Sequence, residues 1–455
     1  MRFLRVFSLL LLLHSTCFGF SAYSNKELDE LEIKFKKEIN QSPQVLRTPL
    51  AERYINKIAA RLARHGDMPK PYFFIVKSKE INAFAGPGGY IGVNTELILA
   101  SQNESELAAV MAHEMAHVRL HHLYRMIEHQ KQMQIPKLAG MLAAIALGVI
   151  NPTLGTGAML GAMDSFEKDT INFIRSNEKE ADSIGIDILT RAQFNPEGMP
   201  SFFKKMQMNS RYYYTANVPA ILRTHPLDED RIAEADNRIA QLKIQHHTSS
   251  SPQYYLFKEL VRHEVAHDTQ TLFEYYRKQC PLNAPLYACQ YGEALNYQDK
   301  HDDKKTIAIL EPYVNSSFQQ DPFMNLALAQ SYEAVGKKEE AQHIYQKFYD
   351  ISPNNTAIVD QYSDYLESND PKKNLSMLIK AHRKFKNDAN ICFKLARAQA
   401  QQHLLAQAYF TEANCHLLQG ETREAMAQLN TAKKFAKPNS YIDLRISAKI
   451  EEIKE

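Results

Sequence analysis

The stretch "ESELAAVMAHEMAHVRLHH", Glu104 to His122, decides the fold. Its apolar residues predict a buried helix, and within it His113, Glu114 and His117 form an HExxH motif. Residues four apart differ by only about 40° around a helix, so both imidazoles can bind one cation. Two histidines beside a carboxylate are typical of a hydrolytic zinc site.

A catalytic zinc site usually has three protein ligands and one open position, so a further ligand must come from another element. The stretch "FIRSNEKEADSIGIDIL", Phe173 to Leu189, predicts a second helix that packs inward. On it, Glu178 is the candidate ligand, and Asp182, one turn later, can fix a histidine by accepting its N–H. We expect Glu180 to point elsewhere.

A second HExxH occurs in "RHEVAHD", Arg262 to Asp268. Charged residues flank it, and no E-x-x-A-D follows it. We interpret it as a chance match on the first amphipathic helix of a repeat domain. In that interpretation the inward positions are Leu256, Leu260, Val265 and Leu272.

The N-terminus predicts a cleaved signal peptide over residues 1–21. Arg2 and Arg5 precede an apolar run from Phe7 to Leu13, which is too short for a confident membrane span. The mature protein is then exported. Formal net charge is +2 and evenly distributed, so charge indicates neither a nucleic-acid nor an anionic-membrane partner.

The mature chain keeps four cysteines, Cys280, Cys289, Cys392 and Cys415. In an oxidising compartment they allow three disulfide connectivities, and the sequence-local one pairs the first two and the last two. Free buried thiols are an equal alternative. None of the four lies near an HExxH motif, so zinc ligation by cysteine is not expected.

The polar stretch "HHTSSSPQ", His246 to Gln253, divides the chain into a domain over residues 22–248 and a helical domain over 249–455. The segment from Leu326 to Pro353 has the residue spacing of a tetratricopeptide repeat, and the segment from Ala406 to Pro438 repeats it. Gly336 and Gly420 are 84 residues apart, which is not a multiple of 34, so we expect irregular units between them and about four helical pairs. Such arrays expose a concave surface for peptide or protein ligands. The alternative is a generic helical bundle.

The uncharged segment Leu138 to Met163 is broken by Asn151-Pro152 and Gly155, which predicts two short helices. They pack on the protein core or dip into a membrane face.

Three further stretches carry a resemblance to a known family. They are "INAFAGPGGYIGVNTELI" (Ile81 to Ile98), "RSNEKEAD" (Arg175 to Asp182) and "RTHPLDEDRI" (Arg223 to Ile232). With HExxH they resemble the gluzincin family of zinc metallopeptidases that includes the CAAX prenyl endopeptidases. The signal peptide and the repeats are similar to its exported bacterial group of β-barrel assembly-enhancing proteases.

The resemblance implies His113, His117 and Glu178 as ligands of one zinc ion per chain, Glu114 as general base and Asp182 as the residue behind a ligand. It implies a mainly α fold, with an α+β zincin-like domain that contains a small β-sheet, followed by an α-solenoid of tetratricopeptide repeats. It further implies a periplasmic endopeptidase that acts on outer-membrane β-barrel precursors, with the barrel-assembly complex as partner.

Three questions stay open. A strand over Tyr90 to Val93 could lie at the cleft edge and pair with substrate, or belong to an ordinary hairpin. His225 could bind the zinc and hold the enzyme inactive, hydrogen-bond the transition-state oxygen, or only shape a loop. The chain could also be a non-proteolytic chaperone or adaptor whose zinc site is structural or silenced.

Overall fold

A computed structural model describes residues 25–66, 68, 71–132, 168–212, 219–242, 247–266 and 268–454. The predicted signal peptide, the segment Leu138 to Met163 and His267 lie outside these residues. Within them, none of the helices combines the length and apolar character that a membrane crossing requires.

The N-terminal half places helices around one small sheet. The helices are α1 (Asn25–Gln41), α2 (Pro49–His65), α3 (Thr95–Ala100), α4 (Glu104–Arg119), α5 (His122–Gln132), α6 (Lys168–Arg191), α7 (Gly198–Tyr212), α8 (Ala220–Thr224) and α9 (Glu229–Gln241). The strands are β1 (Val45–Leu46), β2 (Tyr72–Val76), β3 (Ala83–Ala85) and β4 (Tyr90–Asn94).

The strand order is β1-β2-β4-β3, with β2 and β4 parallel and the other two pairs antiparallel. The strand predicted over Tyr90 to Val93 therefore exists, and it forms a hairpin with β3, the second of the two alternatives. Both sides of β4 are already paired, with β2 and with β3, so its backbone groups have no room for a substrate. The outer strand on that side of the sheet is β3.

Helix α4 is buried along nearly its whole length, as its apolar sequence predicts. It begins where the Asn103 side chain accepts a hydrogen bond from the Glu106 amide. Helix α6 approaches it closely at Gly185. A Cβ atom at Gly185 would lie 3.2 Å from the His113 backbone nitrogen. The missing side chain thus lets α6 come close to the first histidine of the motif.

Beyond residue 251 the described chain is helical. The helices are α10 (Pro252–Val265), α11 (Thr269–Lys278), α12 (Cys280–Asn283), α13 (Leu286–Asp299), α14 (Asp303–Val314), α15 (Pro322–Ala334), α16 (Lys338–Ile351), α17 (Thr356–Asn369), α18 (Pro371–Lys384), α19 (Ala389–Gln401), α20 (Leu405–Leu418), α21 (Thr422–Phe435) and α22 (Tyr441–Lys454). The mainly α fold with a small sheet and a following helical repeat region is confirmed.

The helices from α13 to α22 form five successive pairs, more than the four expected. The turn inside a pair has a residue with positive φ at His301, Gly336, His403 and Asn439, about one repeat or two repeats apart. Gly420 also has a positive φ, and it joins α20 to α21, which pack closely on one another. The left-handed residues His403 and Gly420 are closer together than one repeat, so the units before Gly420 are irregular, as expected. Histidine and asparagine occupy the left-handed turn elsewhere.

Both sequence-local disulfides are present, Cys280–Cys289 and Cys392–Cys415. The first joins α12 to α13, and the second joins α19 to α20. Each therefore links neighbouring helices within the repeat region.

The repeat region contacts the sheet-bearing half at several places. At its start, the Glu104 carboxylate accepts hydrogen bonds from the Tyr54 hydroxyl and from the Ser251 amide at 2.8 Å. Farther along, at the end of α20, the Leu418 carbonyl accepts a hydrogen bond from the Asn40 side chain of α1 at 2.9 Å.

Candidate metal centre

The two histidines of α4 meet the carboxylate of α6 and a third histidine. His113 Nε2 lies 3.0 Å from His117 Nε2 and 3.3 Å from Nδ1 of His225, which follows α8. That Nδ1 lies 3.1 Å from both carboxylate oxygens of Glu178. Glu178 Oε2 and Oε1 lie 3.4 Å and 3.5 Å from the Nε2 atoms of His113 and His117. One ligand atom from each of the four residues lies within 4.8 Å of all the others.

This spacing fits a tetrahedral metal ion. Zinc–nitrogen bonds of about 2.0–2.1 Å place neighbouring ligands of a tetrahedron about 3.3 Å apart, and the separations given above run from 3.0 to 3.5 Å. Two imidazole nitrogens that face one another gain little interaction energy unless they share a cation. The donor set, three histidine nitrogens and a carboxylate, is one that zinc accepts.

Electrostatics around the cluster favour a cation. Burial lowers the pKa of His113, but the neighbouring carboxylates of Asp182 and Glu178 outweigh burial and raise that pKa to about 10. Burial alone would raise the pKa of Glu178, yet His225 and His117 hold it well below its usual value. When no metal ion is bound, a proton supplies the positive charge between these groups.

Asp182 lies behind His113, with Oδ1 2.9 Å from Nδ1. The His113 ring is not well aligned with this carboxylate for a hydrogen bond. The carboxylate nevertheless contacts Nδ1, the ring nitrogen on the side away from the cluster. Arg231, from α9, holds Asp182 from the other side through two hydrogen bonds of 2.7 and 2.8 Å. Its Nη1 also lies 3.1 Å from Glu178 Oε2. Arg231 thus fixes both carboxylates of α6.

His117 has a different partner. His122 Nδ1 lies 2.9 Å from His117 Nδ1, and His122 Nε2 lies 3.2 Å from Glu180 Oε2. Glu180 is half-exposed and also binds Arg125 at 2.9 Å, so it points away from the cluster, as expected. A chain from Glu180 through His122 orients the second imidazole.

Glu114 is 1% exposed, and neither of its carboxylate oxygens has a hydrogen-bond partner among the described residues. Its Oε1 lies 3.3 Å from His225 Nε2, a close approach without hydrogen-bond alignment. His225 therefore faces the metal cluster with one ring nitrogen and Glu114 with the other. An unsatisfied buried carboxylate beside a metal cluster is positioned to take up a proton.

Sequence reasoning brought together His113, His117, Glu178, Asp182, Glu114 and His225, and the structure places all six in this one cluster. It missed Arg231 and His122. Arg231 was visible as an arginine three residues after the N-cap Asp228 in a quoted motif, and His122 as a histidine five residues after His117.

The residues of the second HExxH that the structure describes, His263 to Ala266, lie at the end of a helix. Helix α10 ends at Val265, and Ala266 is extended, because Asp268 caps the next helix by accepting from the Gln270 and Thr271 amides. The expected inward position of Val265 on a continuous helix is wrong, since this residue is only half-buried and Leu272 belongs to α11. His263 instead contacts Asp299, Nε2 to Oδ2, at 2.9 Å.

Comparison with known proteins agrees with this geometry. The profile of Peptidase family M48 matches residues 49–239. The "Beta-barrel assembly-enhancing protease" of Escherichia coli (strain K12) is 30% identical over 439 residues, which cover 92% of this chain and 86% of that protein. The protein of that name from Yersinia pestis is 29% identical over 430 residues, covering 92% and 87%. "Metalloendopeptidase OMA1, mitochondrial" of Danio rerio is 26% identical over 168 residues, covering 37% and 35%.

The match to the Escherichia coli protein spans both the half that contains the metal centre and the repeat region. The chain therefore belongs to Peptidase family M48 and is a metallopeptidase.

Proposed function

We propose that this chain is a periplasmic zinc endopeptidase that acts in the quality control and assembly of outer-membrane β-barrel proteins, with a chaperone-like role. The convergence of His113, His117 and Glu178 beside Glu114 carries the proposal. The names of the relatives support the substrate class. The signal-like N-terminus and the two disulfides support an exported protein in an oxidising compartment.

The geometry supports the following roles. A zinc ion held by His113, His117 and Glu178 would supply the Lewis-acid chemistry that polarises a peptide carbonyl and activates water. Glu114 accepts the proton of the attacking water and passes it to the leaving amine. Asp182 and His122 hold the two imidazoles in place.

The repeat region, over residues 249–455 in our division of the chain, is the proposed recruiting element for substrate or for the barrel-assembly complex. Helical arrays of this kind present extended concave surfaces to protein ligands. Its contacts with the sheet-bearing half through Ser251 and Leu418 attach any bound protein to the part of the chain that contains the metal centre.

The purified mature protein tests this proposal in a digestion assay with an unassembled β-barrel precursor, the same barrel folded in detergent, and casein. We expect cleavage of the unassembled chain, none after chelation, and none by the Glu114→Gln variant with its zinc content unchanged. Turnover by the zinc-loaded Glu114→Gln variant would overturn the role of Glu114. Cleavage of casein but not of the precursor would overturn the substrate class.

One observation favours a second candidate, a non-proteolytic adaptor with a silenced site. His225 Nδ1 completes a set of four protein donors, and four donors without an open position are typical of structural zinc. His225→Ala distinguishes the two: increased basal proteolysis favours an inhibitory role of His225 in an active peptidase. Loss of proteolysis with zinc retained favours a transition-state role. Absence of proteolysis in both the wild type and this variant favours the adaptor.

A further inference from the structure

The disulfide between Cys280 and Cys289 closes a short ring of chain, "CPLNAPLYAC", that leads from α11 through α12 into α13. We call this segment the disulfide ring. Leu282 is 83% exposed, the highest value for a large apolar side chain in the described part of the protein, and Leu286 is 61% exposed. Single exposed leucines are common on protein surfaces, but two on one short ring form an apolar patch that requires a reason.

The base of the disulfide ring is fixed to the protein. Cys280 and Cys289 are buried and pack with Leu272 and Tyr276 of α11 in a small apolar cluster. Inside the ring, the Ala284 amide donates a hydrogen bond to the Cys280 carbonyl at 2.9 Å. Two prolines of the ring restrict its backbone further. The exposed leucines are thus held on a rigid support, which loses little backbone freedom when a partner covers it.

The exposure of Leu282 and Leu286 limits what can cover them. A side chain that keeps most of its surface in water projects from the protein, whereas a side chain that lines a groove is shielded by the walls of the groove. Neither leucine belongs to the apolar cluster beneath the ring. The ring therefore forms a convex apolar tip. A lipid layer accepts such a tip without a preformed cavity, because its headgroups and acyl chains are fluid.

Positive charge adjoins this tip. Arg277 and Lys278, in the last turn of α11, are exposed, and neither forms an ion pair with any residue that the structure describes. Glu274, one turn earlier, is the only carboxylate of α11, and no acidic residue occurs from Arg277 to Cys289. A basic residue close to an anionic lipid surface strengthens binding by about fivefold. The net charge of the chain does not predict such a partner, because it averages over all surfaces.

We propose that the disulfide ring docks the protein on an anionic lipid surface. Leu282 and Leu286 enter the headgroup layer, and Arg277 and Lys278 bind the lipid phosphates. Apolar insertion and basic side chains then act together, and the contact is reversible because two leucines bury far less apolar area than a spanning helix. The proposal adds a surface to the repeat region and does not depend on the peptidase function.

Vesicle flotation with the full-length mature protein tests the proposal. The probe is a vesicle of phosphatidylethanolamine and phosphatidylglycerol, and vesicles of phosphatidylcholine provide the comparison without net charge. We expect the protein to float with the anionic vesicles and to bind the phosphatidylcholine vesicles roughly tenfold more weakly. High salt should weaken binding to the anionic vesicles, since it screens the attraction between the two basic side chains and the lipid.

The double variant Leu282→Asn and Leu286→Asn should bind the anionic vesicles at least about tenfold more weakly, because it removes the apolar side chains that leave water. Ile351→Asn is the matched control, since Ile351 is 63% exposed in the repeat region but lies outside the ring. It should leave binding unchanged. The double variant Arg277→Gln and Lys278→Gln should weaken binding roughly tenfold and remove most of its salt dependence. Circular dichroism verifies that all variants are folded.

A fluorescent probe gives a second readout. The sequence contains no tryptophan, so one introduced indole reports only its own surroundings. In the Leu282→Trp variant, anionic vesicles should shift the emission maximum to the blue, and lipids brominated on their acyl chains should quench the emission. In the Ile351→Trp variant, we expect neither change. A Leu282→Trp emission that vesicles leave unaltered would overturn the insertion of the tip.

Absence of flotation by the wild type, or equal flotation by the wild type and the double leucine variant, would also overturn the proposal. So would a dimer in sedimentation velocity that the double leucine variant abolishes, because a second copy of the chain would then cover the ring. Equal binding to the anionic and the phosphatidylcholine vesicles would overturn the role of Arg277 and Lys278.

Discussion

Arg231 and Asp182 form a buried two-bond ion pair, in which Nε donates to Oδ2 at 2.7 Å and Nη2 donates to Oδ1 at 2.8 Å. The arginine is 2% exposed and also contacts Glu178. A single guanidinium therefore holds the carboxylate behind His113 and the candidate metal ligand in one arrangement.

Arg231→Met should lower the free energy of unfolding by about 3–5 kcal/mol, because it leaves two buried carboxylates without their cation. Arg238→Met is a matched control: Arg238 joins the same two helices through Asp187 at 2.7 Å, but the two side chains are 38% and 28% exposed. That variant should lose no more than about 1 kcal/mol. Urea unfolding of the chelated proteins measures both, and equal losses would contradict the buried role of Arg231.

His122→Phe should weaken zinc binding by about tenfold to hundredfold, since it removes the nitrogen that orients His117. His122→Gln keeps a polar group there and should recover part of the affinity. The control is His121→Asn, at an exposed neighbour whose φ of 54° asparagine tolerates. Competition with a chromophoric chelator gives the affinities. An unchanged affinity in His122→Phe would show that His117 needs no such support.

The two HExxH copies should differ in metal content. His113→Ala removes a cluster ligand and should lose the metal, whereas His263→Ala removes only a contact with Asp299 and should retain one zinc per chain. Elemental analysis of the purified proteins gives the ratio. Loss of zinc in His263→Ala alone would overturn the assignment of the site.

Stability should depend on pH through Glu52, in the first turn of α2. Burial, opposed by Arg47 and reinforced by Asp388, raises the pKa of Glu52 from 4.5 to about 7. The folded state therefore keeps a proton that the unfolded state loses, and the stability present below pH 4.5 is lost as pH rises to 7.

Glu52→Gln should remove this dependence. Above pH 7 the variant should be more stable than the wild type by at most about 3 kcal/mol, and near pH 4.5 the two should be equal. Thermal unfolding across that pH range compares them. A stability difference that is constant with pH would contradict the shifted pKa.

Sequence patterns could predict the residues that converge on the metal, because helical spacing places His113 with His117 and Glu178 with Asp182. They could not predict His122, since its approach to His117 depends on a left-handed turn at His121 in which no glycine appears. Arg231 could not be predicted for a related reason. In the sequence, a buried arginine does not differ from an exposed one until the two carboxylates that it contacts are known. Histidine and asparagine occupy several left-handed turns of the repeat region, so the spacing of glycines alone could not give the number of helical pairs.

The hydrogen bond from Asn40 to the Leu418 carbonyl joins residues 378 positions apart in the chain. A chain is made from its N-terminus, so α1 cannot complete its native contacts until α20 has been synthesised and has docked. Contacts of such long sequence separation slow folding. The protein is therefore expected to finish folding only after α20 is made, and a version truncated before α20 should leave α1 with its contacts to the sheet but without its bond to Leu418.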